Sequence, residues 1–396
     1  MNVAYPCAVC ESPAEQKCSG CHAVHYCSRD HQKQHWKQHK QQCTPAKIKD
    51  DAKYGRYLEA IREIQPGDVV LKEKPLINGP SQITPPVCLG CYKLLEEGNT
   101  VSCEKCGWPC CSEDCTQKEV HIPECHYSQK RGEKASISTF GIPHPNYQSI
   151  TVIRCLYQRD HNPKLWTKLQ ALESHCEERK GTEKWNNDRK FIVEFIWKFF
   201  KLEGTFSEEE IMKCCGILQV NGHEIPITEP EHVAVYDRIS MVEHNCRSNS
   251  TKSFNSAGDM INAGEKIPTG GHISVCYTDP LWGTEARRHH LADIWYFECA
   301  CERCSDPTEF GTMYSAVKCK KKTLLIELTA NLSGDSVAVV GIFFYILRSG
   351  KRAKQRNAKI RQSGIHLEPS ECFRVVWLSD ACFQVSIRPL QRGKEC

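Results

Sequence analysis

The chain has 396 residues, of which 40% are hydrophobic and 25% charged, and its formal net charge is +4. This length allows two or three domains with a sizeable core, and the small charge excludes the strong basic excess of a dedicated nucleic-acid binder. The longest apolar stretch, residues 337–347, is shorter than the about 20 residues that a membrane helix needs.

Cysteine is the abnormal residue, with 27 copies beside 17 histidines. The N-terminal residues show no basic region followed by an apolar run, so we expect no signal peptide. We therefore expect reduced thiols in the nucleus or the cytoplasm, where C-x2-C spacing is typical of metal binding. We expect no membrane anchor.

The first cysteine module spans residues 7–43 and reads C-x2-C-x7-C-x2-C-x5-C-x3-H-x7-H-x3-C. Eight ligands fit two zinc ions, and so short a segment with few apolar residues needs the metal to fold. His35 shares a helix face with two of the ligands, but the count is complete without it, so we expect a solvated helix residue. Such sites are often interleaved, which predicts one ion on Cys7, Cys10, Cys27 and His31, and another on Cys18, Cys21, His39 and Cys43.

Two segments have the alternation of β-strands. Residues 54–77 alternate on both sides of Pro66 and Gly67, which suit the central positions of a type II turn. This pattern predicts a β-hairpin. A related pattern, I-P-T-G-G-H-I-S-V at residues 267–275, predicts a second one.

A second cysteine module, at residues 88–125, lies between these segments and has the same order of pairs and the same final H-x3-C. We interpret it as an internal repeat of the first zinc unit. Cys110 is the spare cysteine, and the register alone leaves it open as the ligand in place of Cys111. The corresponding ligand sets are Cys88, Cys91, Cys111 and Cys115 for one ion, and Cys103, Cys106, His121 and Cys125 for the other.

Residues 138–218 have a mainly helical pattern. One predicted apolar stripe, assigned to the core, contains Ile192, Phe195, Ile196 and Phe199, and Ser207 and Glu210 have the spacing of a capping box. Cys214 and Cys215 are expected to be buried thiols. After Gly216 the pattern predicts a return to short strands and turns.

The stretch from Glu243 to Cys304 reads E-H-N-C-R-S-N, then I-S-V-C-Y-T-D, then F-E-C-A-C-E-R-C. Its last three cysteines are one thiolate short of a tetrahedral zinc site, and Cys246 is the candidate fourth ligand. The predicted site is Cys246, Cys299, Cys301 and Cys304, which brings the expected zinc count to five. Residues 320–396 carry a basic stretch at 351–361, more in keeping with a solvated face than with a nuclear signal, and no pattern that we can assign.

The run Y-C-S-x2-H-Q-x3-W-x2-H-K-x2-C at residues 26–43 resembles the MYND zinc finger. Over residues 7–319, the order of G-R-Y-L-E-A, V-N-G, H-x-C-x2-N, C-Y-T-D and F-E-C-A-C-E-R-C resembles the SMYD family of SET and MYND proteins, particularly its insect branch with an extra N-terminal finger. The resemblance implies an α+β fold, a SET-domain β-clip of short strands with a helical insert, two MYND-like zinc modules and a Cys-rich post-SET closure. The implied domains are a MYND finger (7–43), an N-terminal SET segment (52–80), a second MYND-like module (88–125), a helical insert (138–218), the core SET domain (219–298), the post-SET segment (299–319) and an unassigned tail (320–396).

The resemblance also implies roles for single residues. Tyr277 matches the tyrosine that orients the substrate lysine, and Trp295 stands where a second tyrosine is expected, with Tyr296 able to compensate by a one-residue shift. Tyr57 stands where the family has the second glycine of its G-x-G loop, and Glu243 where it has asparagine, and each change is expected to weaken cofactor binding or turnover. The implied cofactor-binding residues are Gly55, Tyr57, Asn221, Glu243, His244 and Phe297, with Asn249 closing the motif that begins at His244.

The implied function is S-adenosylmethionine-dependent methylation of a protein lysine, histone or non-histone, in transcriptional regulation. The alternative is a catalytically impaired zinc-binding interaction protein or corepressor scaffold. The resemblance implies protein partners: a substrate with a target lysine, and proline-rich peptides or corepressors at the MYND module. Direct nucleic-acid binding is not expected, because the modules lack the helix spacing of C2H2 fingers.

Overall fold

The computed structural model describes residues 5–18, 21, 24–40, 43–51, 55–254 and 259–314, and beyond them only the backbone of short strands. The chain divides into two units, one formed by Met1–Tyr277 with Leu291–Phe297 and the other by Thr278–His290 with Glu298–Cys396. In the described part of the chain, no helix is both long and apolar enough to cross a membrane.

The first 80 residues form a small finger and then four strands. The finger elements are β1 (Tyr5–Pro6), β2 (Pro13–Ala14), β3 (Gln16–Lys17), β4 (His25–Tyr26) and helix α1 (Arg29–His39). The strands that follow are β5 (Ala46–Asp51), β6 (Gly55–Ala60), β7 (Val69–Glu73) and β8 (Ile77–Pro80).

The middle of the chain is a second small finger followed by helices. The finger elements are β9 (Val101–Ser102), β10 (Pro109–Cys110), α2 (Glu113–Thr116) and, after a 3-10 turn, α3 (Ile122–Arg131). The helices are α4 (Ile150–His161), α5 (Pro163–Gln170), α6 (Cys176–Arg179), α7 (Glu183–Asp188), α8 (Glu194–Phe199) and α9 (Glu208–Asn221), with a π-helical turn at Arg189–Val193.

Short strands return after α9. They are β11 (His223–Ile225), β12 (His232–Val235), β13 (Glu243–His244), β14 (Ser250–Ser253), β15 (Asp259–Ala263) and β16 (His272–Val275), followed by α10 (Thr284–Trp295) and α11 (Glu302–Ser305). The tail, to which the sequence assigned no pattern, contains the strands β17 (Ala316–Lys318), β18 (Leu324–Ser333), β19 (Ser336–Arg348), β20 (Lys351–Asn357), β21 (His366–Leu367), β22 (Phe373–Ser379) and β23 (Cys382–Ile387), and its other residues lie outside the described part. Helices mixed with short strands bear out the α+β prediction.

Besides the two-stranded sheets of the fingers, the described part of the first unit contains three small sheets, and each joins early strands to late ones. Their orders are β13-β16-β6-β5, β14-β15-β7 and β11-β12-β8. Strand β6 lies between β5 and β16, and β7 is the edge strand that pairs with β15. Residues 55–80 therefore complete their sheets with partners that lie more than 150 residues further along the chain.

The two predicted hairpins are wrong, although their turns form. Gly67 has a φ of +86° and the Asp68 N–H donates to the Gln65 carbonyl oxygen at 3.0 Å, as in a type II turn. The strands before and after this turn, β6 and β7, belong to different sheets, and so do β15 and β16. The two turn segments pair with each other instead, since Ile64 and Ile267 each donate an N–H to the other's carbonyl oxygen.

The predicted end of the helical pattern at Gly216 is also wrong. Helix α9 begins at the predicted capping box, in which Ser207 and Glu210 exchange side-chain and backbone hydrogen bonds, and it continues to Asn221. Glycine inside a helix costs about 1 kcal/mol relative to alanine. At Gly216 a Cβ would lie 2.3 Å from the Ser174 carbonyl oxygen, so close packing explains the glycine without a helix end.

One hydrophobic core joins the sheets to the helices. Leu58, Ile273 and Ile196 are fully buried in it, and Phe195 and Phe199 pack against it, which confirms the predicted core stripe. Cys214 and Cys215 are buried as expected. The second finger contributes Trp108 to this core, whereas the first finger has a separate small cluster around Tyr26.

Candidate functional site

The first finger brings its eight predicted ligands into two groups. In each group the ligand atoms all lie within 4.8 Å of one another, and the groups are Cys7, Cys10, Cys27 and His31, and Cys18, Cys21, His39 and Cys43. Ser28 caps helix α1 by accepting a hydrogen bond from the His31 N–H at 3.2 Å. His35 belongs to neither group. It is half-buried, and its Nδ1 lies 3.0 Å from the hydroxyl of the buried Tyr26. The prediction of a solvated residue is therefore wrong, because His35 is a hydrogen-bond partner of this phenol.

The second finger repeats this arrangement. Ser112 caps α2 by accepting from the Cys115 N–H at 3.3 Å, so each finger places a ligand three residues after a capping serine. Cys110 is fully buried but lies outside the groups, in which Cys111 takes the place that the register left open. The groups are Cys88, Cys91, Cys111 and Cys115, and Cys103, Cys106, His121 and Cys125.

One ligand of the second finger is held by a buried ion pair. His121 Nδ1 lies 3.0 Å from Glu124 Oε1, and the Glu124 carboxylate also accepts two hydrogen bonds from Arg154, at 2.6 and 2.9 Å. Burial acts to raise the pKa of Glu124, but the Arg154 charge and the His121 contact hold that pKa below its ordinary value. Arg154 also donates to the carbonyl oxygens of Asn78 and Leu89 and to the Tyr92 hydroxyl. The finger is thereby fixed to strand β8 and helix α4.

The second unit holds the three cysteines of the C-x-C-x2-C motif as a cluster. The Sγ atoms of Cys299, Cys301 and Cys304 all lie within 4.8 Å of one another. Arg287 lies behind them, with 3.5 Å to Cys304 Sγ and 2.9 Å to Glu309 Oε2. In the first unit, Cys246 is buried and its Sγ lies 3.2 Å from His244 Nε2. The role of Cys246 as the fourth ligand stays a prediction.

The residues predicted around the reaction centre gather at the end of β13 and β16. The Tyr277 N–H donates to His244 Nδ1 at 3.0 Å, and the Tyr277 hydroxyl donates to the Val242 carbonyl oxygen at 2.5 Å. The His244 ring lies 5.2 Å from that of Tyr277 and 5.9 Å from that of Phe297. Burial, with the nearby Glu243 charge, raises the pKa of Tyr277, so the phenol stays protonated at neutral pH.

Trp295, and not Tyr296, stands beside Tyr277. Its ring centroid lies 5.0 Å from that of Tyr277, and its indole N–H donates to the Val220 carbonyl oxygen at 2.8 Å. Tyr296 has a φ of +58° and its ring lies 5.1 Å from His175. The one-residue shift considered from the sequence therefore does not occur, because α10 ends at Trp295 and the chain turns Tyr296 away.

Asn221 lies at the C-terminus of α9. Its Nδ2 donates to the carbonyl oxygens of Glu173 and Ile217, at 2.7 and 3.0 Å. The amide is thus held by the backbone next to Val220, which accepts the Trp295 indole. Asn221 and Trp295 are therefore anchored at neighbouring points of the chain.

The predicted cofactor loop contains one glycine with a left-handed backbone. Gly55 has a φ of +62°, and among the described residues beyond its chain neighbours no atom lies within 4 Å of the place a Cβ would occupy. Tyr57, two residues later, is buried and its ring stacks on that of His272 at 4.1 Å. Glu243 accepts from the same imidazole, since its carboxylate oxygens lie 3.0 and 3.1 Å from His272 Nδ1. The sequence had not singled out His272.

A second group missed by the sequence lies between β11 and β14. Lys252 Nζ is 3.4 Å from His223 Nδ1, and the described residues offer Lys252 no carboxylate partner. Burial and the Lys252 charge lower the pKa of His223 to about 3, and burial lowers that of Lys252. Neither residue belongs to a sequence motif, so only their proximity in the fold reveals them.

A cavity of about 340 Å³ lies elsewhere in the first unit, between the helices and the β11-β12-β8 sheet. Apolar side chains such as Ile192, Leu218 and Val233 line it beside the charged pair Lys184 and Asp188. Its lining includes none of the predicted site residues, so it is a separate feature.

The profile of the MYND finger family matches residues 7–43. The chain is 28% identical over 297 residues to the SET domain-containing protein SmydA-8, isoform B, of Drosophila melanogaster, a match that covers 70% of this chain and 61% of that protein. It is 26% identical over 274 residues to the histone-lysine N-methyltransferase SMYD3 of Homo sapiens, covering 64% and 60%. The chain thus spans about three fifths of the length of the curated relatives that it matches.

A solved structure, the SET domain of LSMT bound to lysine and AdoHcy, covers 71% of this chain and 62% of its own, with 12% identity and a TM-score of 0.35. A second isoform of Drosophila SmydA-8 is 25% identical over 283 residues, covering 68% of this chain and 58% of that protein. From the finger match and these relatives, the chain is similar to SET and MYND proteins, and the Drosophila relatives fit the insect branch of that family.

Proposed function

We propose that the chain is an S-adenosylmethionine-dependent protein-lysine methyltransferase whose two fingers are zinc-binding docking modules. The observation that carries the proposal is the position of Tyr277, a half-buried phenol whose hydroxyl is fixed by the Val242 carbonyl between the rings of His244 and Trp295. The relatives support it, since several are named histone-lysine N-methyltransferases.

The residues present fit the cofactor at several points. Gly55 keeps the left-handed φ and open space that let a backbone approach a ligand closely. The Nδ2 of Asn221 donates to the backbone, which leaves its Oδ1 as an acceptor. Tyr57 is folded onto His272 and not over Gly55. When bound, S-adenosylmethionine would supply an electrophilic methyl group, and Gly55, Tyr57, Asn221, Glu243, His244 and Phe297 would hold it.

Tyr277 acts as a hydrogen-bond acceptor. Its only hydroxyl proton is donated to the Val242 carbonyl oxygen, so the lone pairs of the phenol oxygen are left to accept an N–H from a substrate amine. A hydrogen-bond acceptor binds an N–H of the amine and leaves the nitrogen lone pair available for attack, whereas a donor would occupy that lone pair. In this proposal Tyr277 orients the amine and does not deprotonate it.

The surrounding aromatic rings favour the neutral amine that nucleophilic attack requires. An ammonium group loses solvation beside the rings of Tyr277 and Trp295, and this burial lowers an amine pKa. Trp295 adds bulk without a free donor, because its indole N–H is already bonded to the Val220 carbonyl oxygen. Alignment of the amine with the methyl group would then provide much of the rate.

The finger ligands fit zinc. With Zn–S bonds of about 2.3 Å, the donors of a tetrahedral site lie about 3.8 Å apart. Observed donor separations lie on both sides of that value, for example 3.1 Å between Cys27 Sγ and His31 Nδ1 and 4.0 Å between the Sγ atoms of Cys103 and Cys125, and all lie within 4.8 Å. We propose five zinc ions, two in each finger and one on Cys246, Cys299, Cys301 and Cys304.

The proposed partners are proteins. One is the substrate that carries the lysine, histone or non-histone, and others are proline-rich peptides or corepressors that dock on the MYND finger in transcriptional regulation. Exposed aromatic side chains on that finger, Tyr5 and Trp36, support docking. The proposed location is the nucleus, the cytoplasm or both.

A second candidate function is a SET and MYND scaffold without turnover. It is favoured by Tyr57 and Glu243, which differ from the residues that the family resemblance leads us to expect and yet share one ordered contact through His272. Such a protein would retain zinc and docking but bind no S-adenosylmethionine.

Calorimetry with S-adenosylmethionine and methyl transfer to histone and lysine-peptide substrates test the proposal. We expect the wild type to bind the cofactor, and Tyr277→Phe to bind it within twofold while losing about 100-fold in kcat, the scale of one positioning contact. Tyr296→Phe is the matched control, since it removes a hydroxyl from the same segment beside His175 and should leave kcat unchanged.

Absence of binding by the wild type would refute the methyltransferase proposal. If the double variant Tyr57→Gly and Glu243→Asn then gained binding, the scaffold function would be favoured. Equal loss of kcat in Tyr277→Phe and Tyr296→Phe would refute the acceptor role of Tyr277.

A further inference from the structure

Three positions from two sequence motifs converge on His272. The Tyr57 ring stacks on its imidazole, with an interplanar angle of 14°. The Glu243 carboxylate lies 3.0 Å from its Nδ1. Asn249 donates its Nδ2 to the His272 carbonyl oxygen at 2.7 Å and accepts the Ser274 N–H at 3.0 Å. The imidazole and its backbone therefore connect the cofactor loop with both ends of the motif that runs from residue 243 to residue 249.

The sheet register explains why these side chains meet. In β13-β16-β6-β5, His272 pairs with Glu59 and Ser274 pairs with Glu243. Side chains two residues apart share a face of a strand, so Tyr57, His272 and Glu243 lie on one face. The opposite face carries Leu58 and Ile273, which are fully buried in the core.

The same register places Tyr57, His272 and Glu243 on a different face from the reaction centre around Tyr277. Glu243 is also the chain neighbour of His244, which belongs to that centre. His244 pairs with Val275 and so points to the face opposite to Glu243. The side chain that bonds His272 and the side chain that bonds the Tyr277 N–H are thus consecutive residues on β13. A displacement of Glu243 moves His244 with it.

The electrostatic surroundings keep the group in one state. Burial raises the pKa of Tyr57, and the charges of Glu59, Asp51 and Glu243 add to this shift. Glu59 is paired with Lys47 at 3.1 Å, which leaves Glu243 as the acceptor for the imidazole. Tyr57 therefore remains a neutral ring for stacking.

We propose that His272 is a positioning residue that holds the Tyr57 strand and the Glu243–His244 strand in the arrangement that binds S-adenosylmethionine, an inference that rests on the proposed function. Tyr57 and Glu243 are then one matched pair and not two independent losses. The Tyr57 ring covers one side of the His272 imidazole, which a glycine at position 57 would leave uncovered. The stacking orients the imidazole so that its Nδ1–H donates to the Glu243 carboxylate.

Two substitutions at His272 separate its stacking contact with Tyr57 from its hydrogen bond to Glu243. His272→Phe keeps a ring for Tyr57 but loses the donor to Glu243, and His272→Asn keeps a donor but loses the ring. His161→Phe is the matched control, because His161 also stacks on a tyrosine, Tyr157 at 3.7 Å, and also loses one hydrogen bond. We expect the Kd for S-adenosylmethionine to rise at least tenfold in both His272 variants and less than twofold in His161→Phe.

A KM-against-kcat split distinguishes positioning from general damage. In His272→Phe we expect KM for S-adenosylmethionine to rise about tenfold while kcat stays within threefold, because Tyr277 and Trp295 are not in contact with the imidazole. Glu243→Gln keeps an acceptor for Nδ1 and should raise KM for S-adenosylmethionine less than Glu243→Leu does, whereas Glu243→Leu should match His272→Phe. Equal effects of Gln and Leu would overturn the inference.

A stability cycle tests the unit without the cofactor. Tyr57→Leu and Glu243→Leu should together lower the free energy of unfolding by less than the sum of the single changes. In the His272→Ala background the two changes should become additive. Additivity with His272 present would overturn the inference.

The outcomes separate the inference from the proposed function. Wild-type binding of S-adenosylmethionine with an unchanged Kd in His272→Phe would overturn the inference alone. No wild-type binding would overturn the proposed function and the positioning role together, and coupling in the stability cycle would then assign the three residues a purely structural role.

Discussion

Replacing Arg154 with methionine tests how firmly the second finger is joined to the body of the first unit. The substitution keeps the length and apolar stem of the side chain but removes five hydrogen bonds, to Glu124 twice, Asn78, Leu89 and Tyr92. The Glu124 carboxylate, fully buried beside His121, would keep its charge without its main counterion.

The expected loss is about 3–5 kcal/mol in the free energy of unfolding, the cost of removing one partner of a buried ion pair. The two orphaned carbonyl oxygens and the Tyr92 hydroxyl act in the same direction, at about 1–3 kcal/mol for each group left unsatisfied, although such terms do not add. Glu124 also contacts His121, which is one of the four proposed zinc ligands. We therefore expect the zinc affinity of that site to fall about 10- to 100-fold.

Equilibrium urea unfolding with excess zinc measures the first effect, and competition with a chelator measures the second. Lys198→Met is the matched control, since it breaks an exposed i,i+4 pair with Glu194 and should cost less than about 0.5 kcal/mol. If Arg154→Met were within 1 kcal/mol of Lys198→Met, the buried pair would not join the finger to the body. Unchanged zinc affinity would separately refute the role of Glu124 behind His121.

Chelation should remove zinc from the site of Cys7, Cys10, Cys27 and His31 before the site of Cys103, Cys106, His121 and Cys125, because Cys10 is exposed whereas all four ligands of the latter site are buried. Release in the opposite order, followed with a zinc dye in Cys10→Ser and Cys106→Ser, would contradict this. The wild type should contain five zinc ions by elemental analysis, and Cys246→Ser should both remove one and lower the Tm. A count of four or fewer in the folded wild type would contradict one assigned site. His223→Phe should lose less stability than the wild type as pH falls: burial and Lys252 lower the pKa of His223 to about 3, so between pH 6.5 and 3 the unfolded chain binds a proton that the folded chain does not. The difference should reach up to about 2 kcal/mol at pH 5, and parallel urea midpoints from pH 7 to 5 would rule it out.

The zinc ligands of the fingers could be predicted because their information is local. Pairs such as Cys103 and Cys106 fix two donors within one turn of chain, and the repeat of the same order in both fingers limited the remaining choices. The capping serines Ser28 and Ser112 were not predicted, although each lies three residues before a ligand. The choice between Cys110 and Cys111 required the structure, because adjacent residues differ only in the direction in which the backbone points them.

The centre around Tyr277 was predictable in its members but not in its contacts. The motifs named Tyr277, His244 and Phe297, whereas the Val242 and Val220 carbonyls that fix Tyr277 and Trp295 are backbone groups without any sequence signal. His272 was missed for a similar reason. It lies in a strand pattern that predicts only alternation, and its side-chain partners Glu243 and Tyr57 come from strands 29 and 215 residues away.

The two wrong hairpin predictions show most clearly that the sequence pattern does not determine which strands pair. The observed pairing also constrains how the first unit assembles. A turn such as Gln65–Asp68 is encoded by Pro66 and Gly67, but the partner of the strand that follows is not. Here the two turn segments exchange hydrogen bonds, with Ile64 and Ile267 donating to each other at 2.9 and 3.0 Å.

These bonds are long-range in sequence, so β6 and β7 cannot complete a sheet until residues 259–275 are available. The second finger and the helices lie in the segment between the early and the late strands, so they must pack in a way that brings these strands together. The Arg154 and Glu124 pair does so directly, since it fixes the finger to the Asn78 carbonyl at the end of the early strands. Without the late strands, β6 and β7 would be left with unpaired edges, which makes residues 55–80 dependent on the rest of the unit for their fold.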